Sequence, residues 1–190
     1  MDKTRDCGSR DAGSIPAEGT KFQITPMSIH QKKYQNAVLY LCSKLNGEVR
    51  GKKKLAKLLY FADFDFYEKY QRSITGDTYK AYPKGPLPSA LNAVVIGLSK
   101  SGALRVETVQ EWGDEYAPTE IYKSIAKPDM KVFDSEEIQM LDRVAKCYGN
   151  LNGEQLAELS HAEAPYSATE PYKKIPYEFT YYRGTDFSDL

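Results

Sequence analysis

His30 and His161 are the two histidines of this 190-residue chain, and a metal centre on either needs carboxylates or thiolates at ligand spacing. No such spacing surrounds them, so the sequence implies neither metal nor cofactor. Cys7, Cys42 and Cys147 are an odd number, widely spaced, which fits a reducing compartment better than a disulfide framework or a zinc site. Cys147 and His161 would in principle make a nucleophile and its base. Cys147 falls beside the apolar stripe of its predicted helix, however, and is expected in the core. His161, at the predicted end of a helix, is expected to meet the carbonyl end of that helix or the turn at Pro165. Gly85-Pro86 lacks the glycine spacing and trailing Lys-Ser/Thr of a phosphate loop. The chain therefore reads as a protein that is not an enzyme.

Binding chemistry is better represented. Arg50, Lys52, Lys53, Lys54 and Lys57 crowd the start of a helix, where positive charge opposes the helix dipole and calls for a fixed acidic partner. Asp63, Asp65 and Glu68 qualify from within the chain, as does an acidic patch on another protein. A surplus of aromatics, Tyr60, Phe64, Tyr67, Tyr79 and Tyr82, offers the apolar centre that an interface needs, with Lys54 and Lys57 as its rim. These seven residues are the expected partner-binding set, part of it exposed in the free protein and covered on binding.

The elements that must position them are mostly helical. Ser28 with Gln31 reads as a capping box opening a first helix through Tyr34, Ala37, Val38, Leu41 and Leu45 to a stop at Asn46-Gly47. A second helix, from about residue 51 to 70, carries Leu55, Leu58, Leu59, Ala62 and Phe66 on one stripe and Tyr60, Phe64 and Tyr67 on another, so it is central. Asp63 falls between the stripes and must be satisfied there, bracing a tyrosine or a loop backbone. Thr75-Gly76 and Pro83-Lys84-Gly85-Pro86 punctuate a loop. Pro86 or Pro88 is expected in the first turn of a third helix that carries Leu91, Val94, Val95 and Leu98 and stops at Gly102. Leu104 to Val109 alternates as a strand, followed by a turn at Trp112-Gly113 and a return strand over residues 115–119, which Pro118 would confine to an edge. Asp134 with Glu137, and Asn152 with Gln155, are capping boxes for two more helices, stapled by Phe133 on Ile138 and Leu151 on Leu156. The tyrosine-rich tail from Tyr166 to Tyr182 is expected to lie over the surface without helix. The fold class is mainly α (α+β), a single helical domain over residues 28–190 with a small antiparallel β hairpin.

The 26 basic and 26 acidic residues cancel, so whole-chain charge favours neither nucleic acid nor membrane, and recognition must rest on a local surface. No apolar run approaches the ~20 residues that span a bilayer, and the chain is expected in the cytoplasm. Residues 1–27 read as a flexible extension. Within it, Gly13-Ser14-Ile15-Pro16 is what a tRNA T-arm sequence encodes in one frame, so Met27 is an alternative start, as for a gene in a mobile element.

Lys54-Leu55, Lys57-Leu58-Leu59-Tyr60 and Asp63, then Thr75-Gly76, Ala81-Tyr82 and Gly85-Pro86, and finally Leu159-Ser160-His161, Pro165-Tyr166 and Thr169, occur in an order that resembles the SocA-like antitoxin, or Panacea, domain. The resemblance covers residues 28 to 182. Tyr82 and Tyr166 stand where that family often carries tryptophan. Asp63, Gly76, Gly85, Pro86, His161, Pro165 and Tyr166 are then the structural motif positions. The resemblance implies a toxin–antitoxin system, in a setting of prophages and phage defence, with a protein toxin encoded nearby and neutralised by direct contact. Two other readings compete. Three helices followed by a hairpin resemble a winged helix, implying operator DNA as a partner, although Glu107, Glu111, Asp114 and Glu115 oppose DNA at the wing. A hydrolase would require perturbed titratable groups converging in a pocket.

Overall fold

A computed structural model of the chain describes residues 29–111, Gly113, Glu115 and 117–190. The extension over residues 1–27, the alternative start at Met27, the Ser28 cap and Trp112 at the hairpin tip lie outside them.

Helix α2 (Lys52–Tyr70) is the axis, and its residues from Leu55 to Phe66 are all buried because both of its stripes find partners. Helices α1 (Gln31–Lys44), α4 (Ser135–Tyr148) and α5 (Gly153–Ala162) pack around it. On one side Phe61 stacks on Tyr148 at 4.1 Å between ring centroids. On the other, Tyr60, Phe64 and Tyr79 form an aromatic cluster closed by Tyr177, stacked on Phe64 at 4.4 Å. Both late capping boxes form as expected. Asp134 accepts the Glu137 N–H at 2.9 Å while Glu137 accepts the Asp134 N–H at 3.0 Å, and Asn152 and Gln155 repeat the exchange at the start of α5. Helix α1 is not capped by its own sequence. It starts at Gln31 with His30 as N-cap and no side-chain cap, and the His30 N–H instead donates to the Thr75 carbonyl at 2.8 Å. A tertiary contact thus substitutes for the predicted capping box.

Strand β1 (Glu48–Arg50) follows α1, the hairpin β2 (Tyr79–Tyr82) and β3 (Gly85–Pro88) follows α2, and β4 (Leu104–Val109) and β5 (Thr119–Ser124) follow helix α3 (Leu91–Lys100). The larger sheet is antiparallel with order β1-β5-β4, from Glu48↔Lys123 on one side of β5 and Leu104↔Ser124 on the other. Three expectations are corrected here. Pro86 and Pro88 lie in β3, not in a helical turn; two apart, they lack their N–H groups on one side of the strand, so the ladder to β2 rests on Gly85 and Leu87. The return strand starts at Thr119, beyond Pro118. It is central rather than an edge, because β1, three residues long, pairs on its far side.

The tail is also not a surface strap. After a single turn, α6 (Ala164–Ser167), it runs beside β2, with Lys174 paired to Lys80, and sinks Ile175, Tyr177 and Thr180 into the interior, the last two within a 3₁₀ turn, Tyr177–Tyr182. The Tyr177 hydroxyl donates to the Asp77 carbonyl at 2.8 Å, so its burial leaves no unmet polar group. Cys147 is exposed, not core: the next inward position of α4 is taken by Tyr148. No helix among the described residues is long and apolar enough to cross a membrane.

Candidate functional site

Two clusters gather the motif residues. The first is built on Asp63, fully buried between the stripes of α2. Its carboxylate accepts the backbone N–H of Ile74 at 2.9 Å and of Thr75 at 2.8 Å, and the hydroxyls of Thr75 at 2.5 Å and Tyr79 at 2.7 Å. Asp63 therefore braces both a loop backbone and a tyrosine. Asp77 extends the brace by accepting the N–H of Thr78 at 2.7 Å and of Ala90 at 2.9 Å, which ties the loop to the start of α3. Gly76 donates its N–H to Ser73 Oγ inside the same loop. Burial pushes the Asp63 carboxyl up to about 6 against the pull of Thr75 and Tyr79. The cluster is a positioning device for β2.

The second cluster joins four elements. Lys57 of α2 is 2 % exposed, and its ammonium donates to the Pro86 carbonyl of β3 at 2.7 Å. Gly85 has φ +91°, and a Cβ there would lie 2.5 Å from Lys57 Nζ and 2.9 Å from His161 Nε2, so the strand approaches both nitrogens only because it carries glycine. The His161 ring, from α5, stacks on Tyr166 of α6 at 4.4 Å, with its Nε2 buried and unpartnered among the described residues. Tyr166 in turn donates its hydroxyl to the Tyr82 carbonyl at 2.8 Å, and Pro165 accepts the Thr169 hydroxyl. Burial pulls the Lys57 ammonium down to about 7, aided by Lys53, and lowers His161, aided by Lys57. Both shifts disfavour the charged forms, because the two nitrogens share one buried site. His161 meets neither the helix carbonyls nor Cys147, whose sulfur sits 3.9 Å from Asp189.

The remaining site residues are dispersed. Tyr60, Phe64 and Tyr79 are fully buried, so no partner reaches them in this conformation, whereas Tyr67 and Tyr82 are half-buried. Lys54 donates to the Gly149 carbonyl at 2.6 Å, Lys53 pairs with Glu154, and Arg50 pairs with Glu111 and Glu48. Of the carboxylates expected to serve this cluster, Asp63 braces the loop and Tyr79, while Asp65 and Glu68 serve distant arginines. Asp65 lies between Arg143 at 3.0 Å and Arg183 at 2.6 Å, and Arg183 also pairs with Glu163 at 2.7 Å and Glu68 at 3.4 Å. Glu163 accepts the Tyr60 hydroxyl at 2.8 Å, and burial pushes its carboxyl up to about 7 despite Arg183. Nothing local in the sequence marks Arg143 or Arg183.

These clusters lie within a stretch that other proteins share. Residues 55–166, from the first buried leucine of α2 to the tyrosine under His161, match the family described as antitoxin SocA-like, Panacea domain. No curated protein and no solved structure matches the chain. The matched stretch holds Lys57, Asp63, Gly76, Gly85, Pro86, His161 and Tyr166, the residues that lock α2, the β2–β3 hairpin, α5 and α6 to one another. The chain belongs to the SocA-like antitoxin, Panacea-domain family.

Proposed function

We propose that this protein is an antitoxin that neutralises a cognate protein toxin by direct binding, without catalysing a reaction. The family match over residues 55–166 carries the reading. The architecture agrees with it: the motif residues are spent on internal locks that rigidify a hairpin and a tail, and a rigid presenting surface lowers the entropic cost of association. Growth rescue tests it. The gene beside this one is expressed alone and together with the full chain; toxicity relieved by co-expression, with a complex isolated from the cells, is the expected result. Rescue without a complex would sink direct neutralisation.

A winged-helix repressor is the second reading, favoured by the sheet order β1-β5-β4, in which β1 follows the first helix and β4 and β5 follow the third. The charges oppose it. The exposed face of α3 presents Asn92, Ala93, Ile96 and Gly97, with no cation before Lys100, and on the sheet Glu107 and Glu111 hold Lys123 and Arg50 in ion pairs that compete with phosphate. Promoter binding that weakens steeply with salt would favour this reading.

A further inference from the structure

Among the described residues the arginines are engaged, as are Lys33, Lys44, Lys53 and Lys123, while a group of lysines on the hairpin and the tail is not. Every arginine among the described residues meets a carboxylate: Arg50, Arg72, Arg105, Arg143 and Arg183. Lys80, Lys84, Lys173 and Lys174 are all exposed and none has such a partner among the described residues. Register makes this arrangement costly, because Lys80 of β2 stands directly opposite Lys174 of the tail, and like charges paired across a ladder repel. Lys84 caps the tip of the same hairpin, and the nearby Glu154 is already taken by Lys53. Glu154 lowers the cost at Lys84 alone, and no carboxylate among the described residues pairs with Lys80 or Lys174.

Apolar surface lies beside the lysines. Tyr172, 60 % exposed, meets Tyr82 edge-on at 5.7 Å between centroids. Its own backbone is held at φ 66° while its N–H donates to the Ala81 carbonyl at 2.7 Å. Between the hairpin and α3 opens a cleft of about 210 Å³, floored by Leu87, Pro88 and Leu91 and rimmed by Lys80 and Asn92. Its size suits a side chain rather than a cofactor.

We propose that this face, Lys80, Lys84, Lys173 and Lys174 around Tyr82 and Tyr172, is the surface that docks the toxin, and that it takes a segment carrying aspartate or glutamate with one apolar side chain for the cleft. The proposal rests on the antitoxin reading above and adds to it the place and the chemistry. Carboxylates facing Lys80 and Lys174 relieve the repulsion stored between them, so the face gains from a partner what it lacks alone. A protein partner is favoured over nucleic acid because the cations here are point-charge lysines, while the planar arginines that grip phosphate bidentately are all engaged within the fold.

The test uses Lys80→Glu, which turns a like-charge pair into an opposite-charge one. Its melting temperature is expected to rise while binding falls, a divergence no folding defect produces. The first probe is a short acetylated peptide of alternating glutamate and leucine, titrated into the isotopically labelled full chain and followed by amide shifts. Shifts concentrated in residues 80–92 and 172–174, lost at high salt and weakened about tenfold or more by Lys80→Glu with Lys173→Glu, are expected. Shifts elsewhere, equal weakening by Lys32→Glu with Lys100→Glu, or a DNA duplex that outcompetes the peptide on this face would overturn the proposal. Rescue separates the two readings. If the unaltered protein rescues growth and the double variant does so equally, the docking face is wrong and neutralisation stands. If the unaltered protein fails to rescue, neutralisation is wrong, and the peptide titration still decides whether the face binds acidic segments.

Discussion

Gly85→Ala is the sharpest perturbation of the second cluster, and its cost can be worked from two separate terms. The backbone sits at φ +91°, where an L side chain costs about 1–2 kcal/mol. The added Cβ would then lie 2.5 Å from Lys57 Nζ and 2.9 Å from His161 Nε2. Lys57 must swing away, and a buried ammonium that loses its carbonyl at Pro86 forfeits about 1.5–3 kcal/mol. The sum is about 2.5–5 kcal/mol, a drop of roughly 5–20 °C in a chain of this size. Gly102 supplies the control: its φ is +74° with nothing within 4 Å of an added Cβ, so Gly102→Ala reports the backbone term alone. Urea unfolding of Gly85→Ala, Gly102→Ala, Lys57→Met and the Gly85→Ala/Lys57→Met pair isolates the rest. The pair should fall short of additivity by about 1.5–3 kcal/mol, since Lys57→Met has already lost the ammonium nearest the new methyl and its bond to Pro86. Equal costs for Gly85→Ala and Gly102→Ala, or full additivity in the pair, would refute the idea that glycine is required here by Lys57 and His161.

Other perturbations follow from the same geometry. The Lys57 ammonium has a folded pKa of about 7, below its unfolded 10.5, so the unfolded chain holds the extra proton between these values and this group makes stability rise with pH from about 7 to 10; the melting temperature of the unaltered protein relative to that of Lys57→Met should rise over that window, and a constant difference would contradict it. Asp63→Ala strands four buried donors and should cost about 4 kcal/mol or more by urea unfolding, whereas Asp63→Asn, which still accepts the two N–H groups and donates to the two hydroxyls, should cost about half as much. Arg183→Met leaves Asp65 with Arg143 alone and should cost about 3–5 kcal/mol, with hydrogen exchange accelerating first in residues 177–190. Lys80→Glu should raise the melting temperature by about 1–2 °C, as expected when a like-charge ladder pair becomes an opposite-charge one.

What could be read from the sequence was whatever the chain encodes within a few residues. The capping boxes at Asp134 and Asn152 are exchanges three residues apart, and the burial of α2 on all sides follows from two stripes that one helical wheel displays. Asp63 was legible for the same reason: a carboxylate between two apolar stripes has to be satisfied, whatever satisfies it. Strand β1 was not legible, because three residues carry no alternation and its partner Ile121 lies beyond the hairpin and α3. The prolines of β3 misled because propensity assigns them to a helical turn, while pairing against β2 tolerates them on the side that faces no strand. Tyr60, Phe64 and Tyr79 read as surplus only until Tyr177, from the tail, is added to close their cluster.

Charge is where sequence and fold differ most in emphasis. The lysines at the start of α2 stand out because three are consecutive, and the fold gives Lys53, Lys54 and Lys57 separate partners in Glu154, the Gly149 carbonyl and the Pro86 carbonyl. Lys80, Lys84, Lys173 and Lys174 form no run, since two belong to a hairpin and two to the tail. Only the pairing of Lys80 with Lys174 brings them together. A neutral total of 26 against 26 conceals this, because many carboxylates are held by arginines and by other lysines elsewhere in the fold, and none pairs with Lys80 or Lys174 among the described residues. Repulsion that a fold keeps, although a single Lys→Glu change would relieve it, is therefore a better mark of a binding face than the length of a basic run. It measures a deficit that a partner can fill.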